Sequence, residues 1–329
     1  DVHDQFEQNP DDYGFGDDEV EWPAPGEMLL DFELLEEIGR GSLARVYLAT
    51  EPSLGGRRVV LKVSPHGCDE ANTLGKLTHR NIVDVHWAPK SEGAELSVIC
   101  MPYLGNATLH DVLDVGFADG QPPARSDVIL AAARRGVMLE GIPKAYVDAD
   151  LRLQGSEYID GIVHLMAQLA DALSHAHGLG IYHHDLKPSN VLLAPSGCPL
   201  LLDFNLSEDT EVGSTMFGGT LPYMPPEQLQ KVILGPAAET TPADASWDVF
   251  SLGAILYEML TGTLPFGEYS AGDPEHVAAA ELAEMQQSGY QSARLKNPAV
   301  TAQLDGLIER CLHKDSSQRP QSAEELAVL

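Results

Sequence analysis

The stretch Tyr182-His183-His184-Asp185-Leu186-Lys187-Pro188-Ser189-Asn190-Val191-Leu192-Leu193, followed by Leu201-Leu202-Asp203-Phe204-Asn205, decides how the chain is read. A polar loop holding Asp, Lys and Asn lies between apolar, strand-like runs. Chemically different groups are thereby gathered at one place. Asp185 is suited to accept a hydroxyl proton, and Lys187 to neutralise a phosphoryl group in transfer. Asn190 and Asp203 offer the hard oxygen ligands that Mg²⁺ prefers.

Toward the N-terminus, Gly39-Arg40-Gly41-Ser42-Leu43-Ala44-Arg45-Val46 sits between two predicted strands. Glycines there let the backbone turn sharply and approach a phosphate chain. Ala44 occupies the third place of a G-x-G-x-x-G spacing, and a Gly-rich hairpin alone is a common turn. Val59-Val60-Leu61-Lys62 then places a lysine inside an apolar strand. A buried ammonium needs an anion. Glu70, opening the following helix, is the candidate partner. The plain alternative is an edge-strand lysine pointing to water.

Strand signals cover Phe32–Ile38, Arg45–Ala49, Arg57–Val63, Ile82–Trp87 and Leu96–Leu104, with a helix over Asp69–Leu77. Five short strands and one helix make a small antiparallel-sheet lobe. The remainder is mostly helical. Ile159, Ile162, Val163, Met166, Leu169, Ala170 and Leu173 form one helical stripe. Phe250–Leu260 is apolar on nearly every side, the pattern of a buried helix, and Leu304–Leu312 is amphipathic.

With these motifs in this order, the sequence resembles the eukaryotic-type protein kinase family, of the Ser/Thr kind also found in bacteria, over about residues 32 to 329. The resemblance implies an α+β, bilobal protein-kinase-like fold. Its small lobe and hinge would span 32–104 and its helical lobe 105–329. It implies ATP and Mg²⁺ as cofactors and protein substrates with Ser or Thr acceptors. By that likeness Lys62 binds the α/β-phosphates and pairs with Glu70. Asp185 is the catalytic base with Lys187 beside it, and Asn190 and Asp203 hold Mg²⁺. Ile38, Gly39, Gly41 and Ala44 belong to the loop over the nucleotide. Met101 takes the gatekeeper place, and Pro102-Tyr103-Leu104 form the hinge that meets adenine. Val46, Val60 and Leu192 would sandwich the base. Leu74, Val85, His183 and Phe204 match a packed spine joining the lobes.

Further along, Gly218-Gly219-Thr220-Leu221-Pro222-Tyr223-Met224-Pro225-Pro226-Glu227 resembles the family's substrate-facing loop and its A-P-E end. Arg319 matches the arginine that pairs with that glutamate. Asp248 matches the acid of the buried helix that holds the catalytic loop. Lys187 and Thr220 are the Ser/Thr-kinase form. Three positions depart from the pattern: His184 stands for Arg before the base, Asn205 for Gly after Asp-Phe, and Pro225 for Ala in A-P-E. None removes a group that touches ATP, metal or proton, and Asn tolerates positive φ well.

Composition bounds the function classes. The 329 residues carry 20 Lys+Arg against 50 Asp+Glu, a formal net charge of -30. A general nucleic-acid binder or a binder of anionic membranes would be basic. At 43% hydrophobic the chain is core-forming. It shows no apolar run of about 20 residues able to span a bilayer and no signal peptide. Cys68, Cys100, Cys198 and Cys311 are far apart, so a reduced, cytoplasmic setting is expected. Residues 1–27 hold ten acids and no Lys or Arg, the composition of a disordered, self-repelling tail. Phe6, Tyr13, Phe15 and Trp22 could anchor it on an apolar groove. His164, His175, His177, His183 and His184 invite a metal reading, but i and i+2 positions do not share a helix face.

Residues 114–156 exceed the usual link between the helices they join in the family, and they carry Arg125, Arg134, Arg135, Lys144 and Arg152. A solvated insertion is the plain expectation, and a docking site for the acidic tail the sharper one. Two other functions fit the same residues. A pseudokinase would use the fold as a nucleotide-binding or scaffold module without turnover. A small-molecule phosphotransferase shares an Asp…Asn loop, but Lys187-Pro188, Glu227 and Arg319 favour protein substrates. Oligomeric state is left open.

Overall fold

Period-two alternation in Arg57–Ser64 builds the centre of the small lobe. Val59, Leu61 and Val63 point to one side and are fully buried, while Val60 and Lys62 point to the other. The computed structural model describes residues 21–41, 44–65, 74–86, 96–204, 221–235, 244–269 and 273–327. Its small lobe is a five-stranded antiparallel sheet in the order β1 (Met28–Leu29), β2 (Phe32–Arg40), β3 (Arg45–Glu51), β4 (Arg57–Ser64) and β5 (Ser97–Pro102). The register sets Val46 opposite Lys62 and Val60 opposite Met101. These residues of the predicted nucleotide site therefore share the face away from the Val59, Leu61 and Val63 core.

The fifth strand is not the expected one. Within 82–86, Ile82 makes a parallel bridge to Leu201 of the large lobe, and the Val83 N–H donates to the Leu201 carbonyl at 3.1 Å. His86 adds one bond to the Cys100 carbonyl at 2.8 Å. The fifth strand is Met28–Leu29, at the opposite edge beside β2, so the sheet begins before residue 32. Trp87 lies outside the described residues, as does most of the predicted helix over Asp69–Leu77. Its end, Leu74 and Leu77, is buried.

The large lobe follows the helical periodicity. It contains α1 (Leu109–Gly116), α2 (Asp127–Ala133), α3 (Tyr158–Gly178), α4 (Pro226–Leu234), α5 (Ala245–Thr261), α6 (Glu275–Ser288), α7 (Ala293–Lys296), α8 (Ala302–Cys311) and α9 (Glu324–Ala327). A two-stranded hairpin, β6 (Val191–Leu193) with β7 (Pro199–Leu201), carries the catalytic motifs at its ends. Helix α5 is buried on nearly all sides, as its sequence requires. Asp244 caps it by accepting from the Ser246 N–H, and Gly262 ends it at φ 71. Where α5 meets α8, a Cβ on Gly253 would lie 2.5 Å from that of Cys311, so the approach needs glycine. Among the described residues no helix is long and apolar enough to cross a membrane.

The inserted segment is not a solvated loop. Val137, Ile142, Tyr146 and Val147 pack with Val83, Ile99, Met101 and Leu104 behind the predicted hinge. Two of its arginines serve the chain's own carbonyls: Arg134 donates to Pro195 and Val147, and Arg125 to Gly155. Residues 1–20 lie outside the described part. Trp22, expected in the tail, packs on the small-lobe core with the Arg45 guanidinium 4.6 Å from its ring centre.

Candidate active site

Two backbone segments at the cleft adopt the left-handed region at residues with side chains: His184 at φ 58 and Asp203 at φ 49. Such conformations persist only where surroundings over-determine them. The surroundings here are unusually well specified. Asp248, fully buried on α5, accepts the His183 N–H and the His184 N–H, both at 2.8 Å, one on each carboxylate oxygen. His177 of α3 adds a third bond at 2.8 Å. Burial pushes the Asp248 carboxyl up, but the His177 bond and the neighbouring imidazoles outweigh it and hold it below its ordinary range. The His183 ring bonds the Leu202 carbonyl at 2.7 Å and packs on Phe204, centroids 4.8 Å apart. The catalytic loop and the Asp203 segment are thus tied together from beneath.

Above this floor the polar groups converge. Lys187 Nζ lies 3.2 Å from Asp185 Oδ2, and the Asn190 amide donates to the same oxygen at 2.9 Å and to the Asp185 carbonyl at 2.8 Å. The Asn190 NH₂ is committed to Asp185, which leaves its amide oxygen as the ligand atom for a cation. Lys62 Nζ reaches Asp203 Oδ1 at 2.9 Å across the two lobes. Desolvation pushes the Asp203 carboxyl up, and the Lys62 ammonium more than offsets it, so the group stays below its ordinary range. An ionised carboxylate and an amide oxygen are together a donor set that fits Mg²⁺.

Glu70 lies outside the described residues; among those described, Lys62 meets Asp203. Gly39, Gly41, Ala44 and Val46 stand at the turn between β2 and β3, whose tip, Ser42 and Leu43, is not described; Ile38 is in β2. Val60 and Leu192 pack in one cluster with Met101, Tyr103 and Leu104. Leu74 and Phe204 share the large-lobe core, with Val85 packed against it. Asn205 and the loop through Thr220 are not described. Beyond them, Glu227 and Arg319 form a bidentate pair at 2.6 and 2.9 Å. The Tyr223 hydroxyl donates to Glu258 at 2.7 Å, and burial raises the pKa of both groups.

Sequence reasoning missed two participants. His177 was read only as part of a histidine cluster; the structure sends its ring to Asp248. Gln228, buried on α4, donates to the His184 carbonyl at 2.9 Å. Neither has a local signal, because each partner is far away in sequence. The His184 ring stacks on Tyr182 at 5.5 Å and 15° and tilts against Trp247 at 5.2 Å.

A model of the protein kinase domain matches residues 32–328. The chain belongs to the protein kinase family. The probable serine/threonine-protein kinase PknB of Lactococcus lactis is 27% identical over 310 residues, 90% of this chain and 40% of that protein. PrkC of Bacillus subtilis, also named a serine/threonine-protein kinase, is 26% identical over 310 residues, 90% of this chain and 39% of its own length. PkaA of Streptomyces coelicolor, likewise so named, reaches 39% over 171 residues, 50% of this chain and 27% of that protein. This kinase domain therefore spans well under half the length of these relatives.

Proposed function

We propose that this domain is the catalytic part of a protein serine/threonine kinase that moves the γ-phosphate of ATP to Ser or Thr hydroxyls of protein substrates, with Mg²⁺ as the metal. The observation that carries the reading is the Lys62–Asp203 contact, which joins a phosphate-anchoring cation to a metal-binding carboxylate 141 residues away. Asp185 orients the acceptor hydroxyl and takes its proton, and Lys187 lies beside it to neutralise the transferring group. Asn190 and Asp203 would hold Mg²⁺, which when bound neutralises charge on the phosphates. Ile38, Gly39, Gly41, Ala44, Val46, Val60, Met101, Tyr103, Leu104 and Leu192 enclose the nucleotide. A cytoplasmic, signalling role accords with this reading.

The deciding test is incubation with Mg²⁺, ATP and a generic protein acceptor, with phosphate located by mass spectrometry. Phosphoserine or phosphothreonine is expected, and none with Asp185→Asn. Nucleotide binding without transfer would mark the domain as a pseudokinase, and phosphate on small alcohols alone would mark a small-molecule enzyme.

A second expectation concerns activation. His184 replaces the arginine that would make a bidentate contact with a loop phosphate, and an imidazole cannot make that contact. Its ring is instead enclosed by Tyr182 and Trp247. Ser207, Thr210, Ser214 and Thr215, all outside the described residues, offer acceptors for autophosphorylation. Replacing the four by Ala should leave turnover within a few-fold of wild type. A drop of about a hundred-fold, about 2.7 kcal/mol of barrier, rescued by acidic replacements would overturn this and require another basic residue as phosphate receptor.

A further inference from the structure

Gln228 is 6% exposed and stands directly after the Glu227 that pairs with Arg319. Its Nε2 donates to the carbonyl of His184 at 2.9 Å. That carbonyl belongs to the peptide unit linking His184 to Asp185, and a peptide unit is planar. Fixing its oxygen fixes the plane that carries the Asp185 Cα, and so the direction in which the Asp185 carboxylate leaves the loop. The need for such a fix is visible in the backbone. His184 has φ 58, a region that side-chain-bearing residues avoid. Its N–H is held by Asp248 and its C=O by Gln228, so both polar backbone groups of the residue are clamped from different helices.

The element bearing Gln228 is itself held firmly. Leu229 is fully buried, and the preceding turn is bonded by Ser251 to the Tyr223 carbonyl and by Gln286 to the Met224 carbonyl, each at 2.8 Å. A strut on a rigid support transmits little slack.

We infer that Gln228 is a positioning residue for phosphate transfer: it sets the plane of the His184–Asp185 peptide and thereby aims the base. It touches neither nucleotide nor acceptor. The inference rests on the reading of Asp185 as the base, and the test separates the two.

Gln228→Met keeps the length and removes the donor; Gln228→Glu keeps the shape and turns an oxygen toward the carbonyl. Both are compared with wild type, Asp185→Asn and Gln230→Met, an exposed position on the same helix. Rates are expressed per nucleotide-binding site, which removes any unfolded fraction. Both Gln228 variants should lose roughly ten- to a hundred-fold in kcat, as misplaced catalytic groups do. KM for ATP should stay within about two-fold, because the nucleotide's ligands lie on other segments. Gln230→Met should match wild type. A kcat for Gln228→Met within about two-fold of wild type, or a KM for ATP rising in step with the kcat loss, would overturn the inference. Full activity in Asp185→Asn would instead overturn the reading of the base.

Discussion

Asp203→Asn is expected to lower phosphate transfer by roughly 10³-fold or more, with the fold intact. The loss follows from charge. The carboxylate is the anionic half of the predicted Mg²⁺ ligand set and the partner of Lys62 at 2.9 Å. An amide keeps the shape but supplies no negative charge, so the metal that offsets phosphate charge is held weakly. The fold should survive for two reasons. The Asp203 side chain is 44% exposed, so the change disturbs no packed interior. Asp203 also has φ 49, and Asn is among the side-chain-bearing residues that adopt this region most readily. Lys62→Met should lose nearly as much by removing an anchor of the phosphates. Turnover near wild type in either variant, with circular dichroism unchanged, would show that these residues do not hold the metal and phosphates.

The second large effect is on stability. The Arg319 side chain is fully buried and that of Glu227 is 14% exposed. The guanidinium also donates to the carbonyls of His313 and Ser246 and lies over the Phe250 ring. Removing one partner leaves the other charge uncompensated, at about 3–5 kcal/mol. Glu227→Ala and Arg319→Ala should each fall in that range by chemical denaturation. The double variant should cost less than the sum, because the second removal discards a charge already stranded. Strict additivity would mean that the pair is not coupled in solution.

Helices α3 and α8 were legible because burial of one helical face imposes a 3.6-residue pattern on nearby residues, and α5 because burial on nearly all sides makes it apolar throughout. The β4 alternation was legible for the same local reason, with period two. The candidate catalytic residues stood out in sequence because Asp185, Lys187 and Asn190 lie within one short loop, so their chemistry meets before the chain folds. The resemblance to the protein kinase family, carried by these motifs, then implied the two lobes and the pairing of Glu227 with Arg319.

Tertiary structure alone decided the rest. The 82–86 segment has strand-like composition, but its apolar side chains are shared between two cores and its backbone meets β7, and the fifth strand is Met28–Leu29 at the far edge beside β2. Trp22 has an acidic neighbourhood in sequence and a cationic one in space. The inserted segment is polar enough in sequence to be solvated, yet Val137, Ile142, Tyr146 and Val147 pack behind the hinge on Met101 and Leu104, and Ile129, Ala132 and Leu153 are buried in the large-lobe core. His177 and Gln228 find their partners 71 and 44 residues away. Periodicity and motif spacing act between chain neighbours and are written in order along the sequence. The partner of a buried polar group is whatever lies across the gap when the core closes, and that is set by the packing of the whole domain.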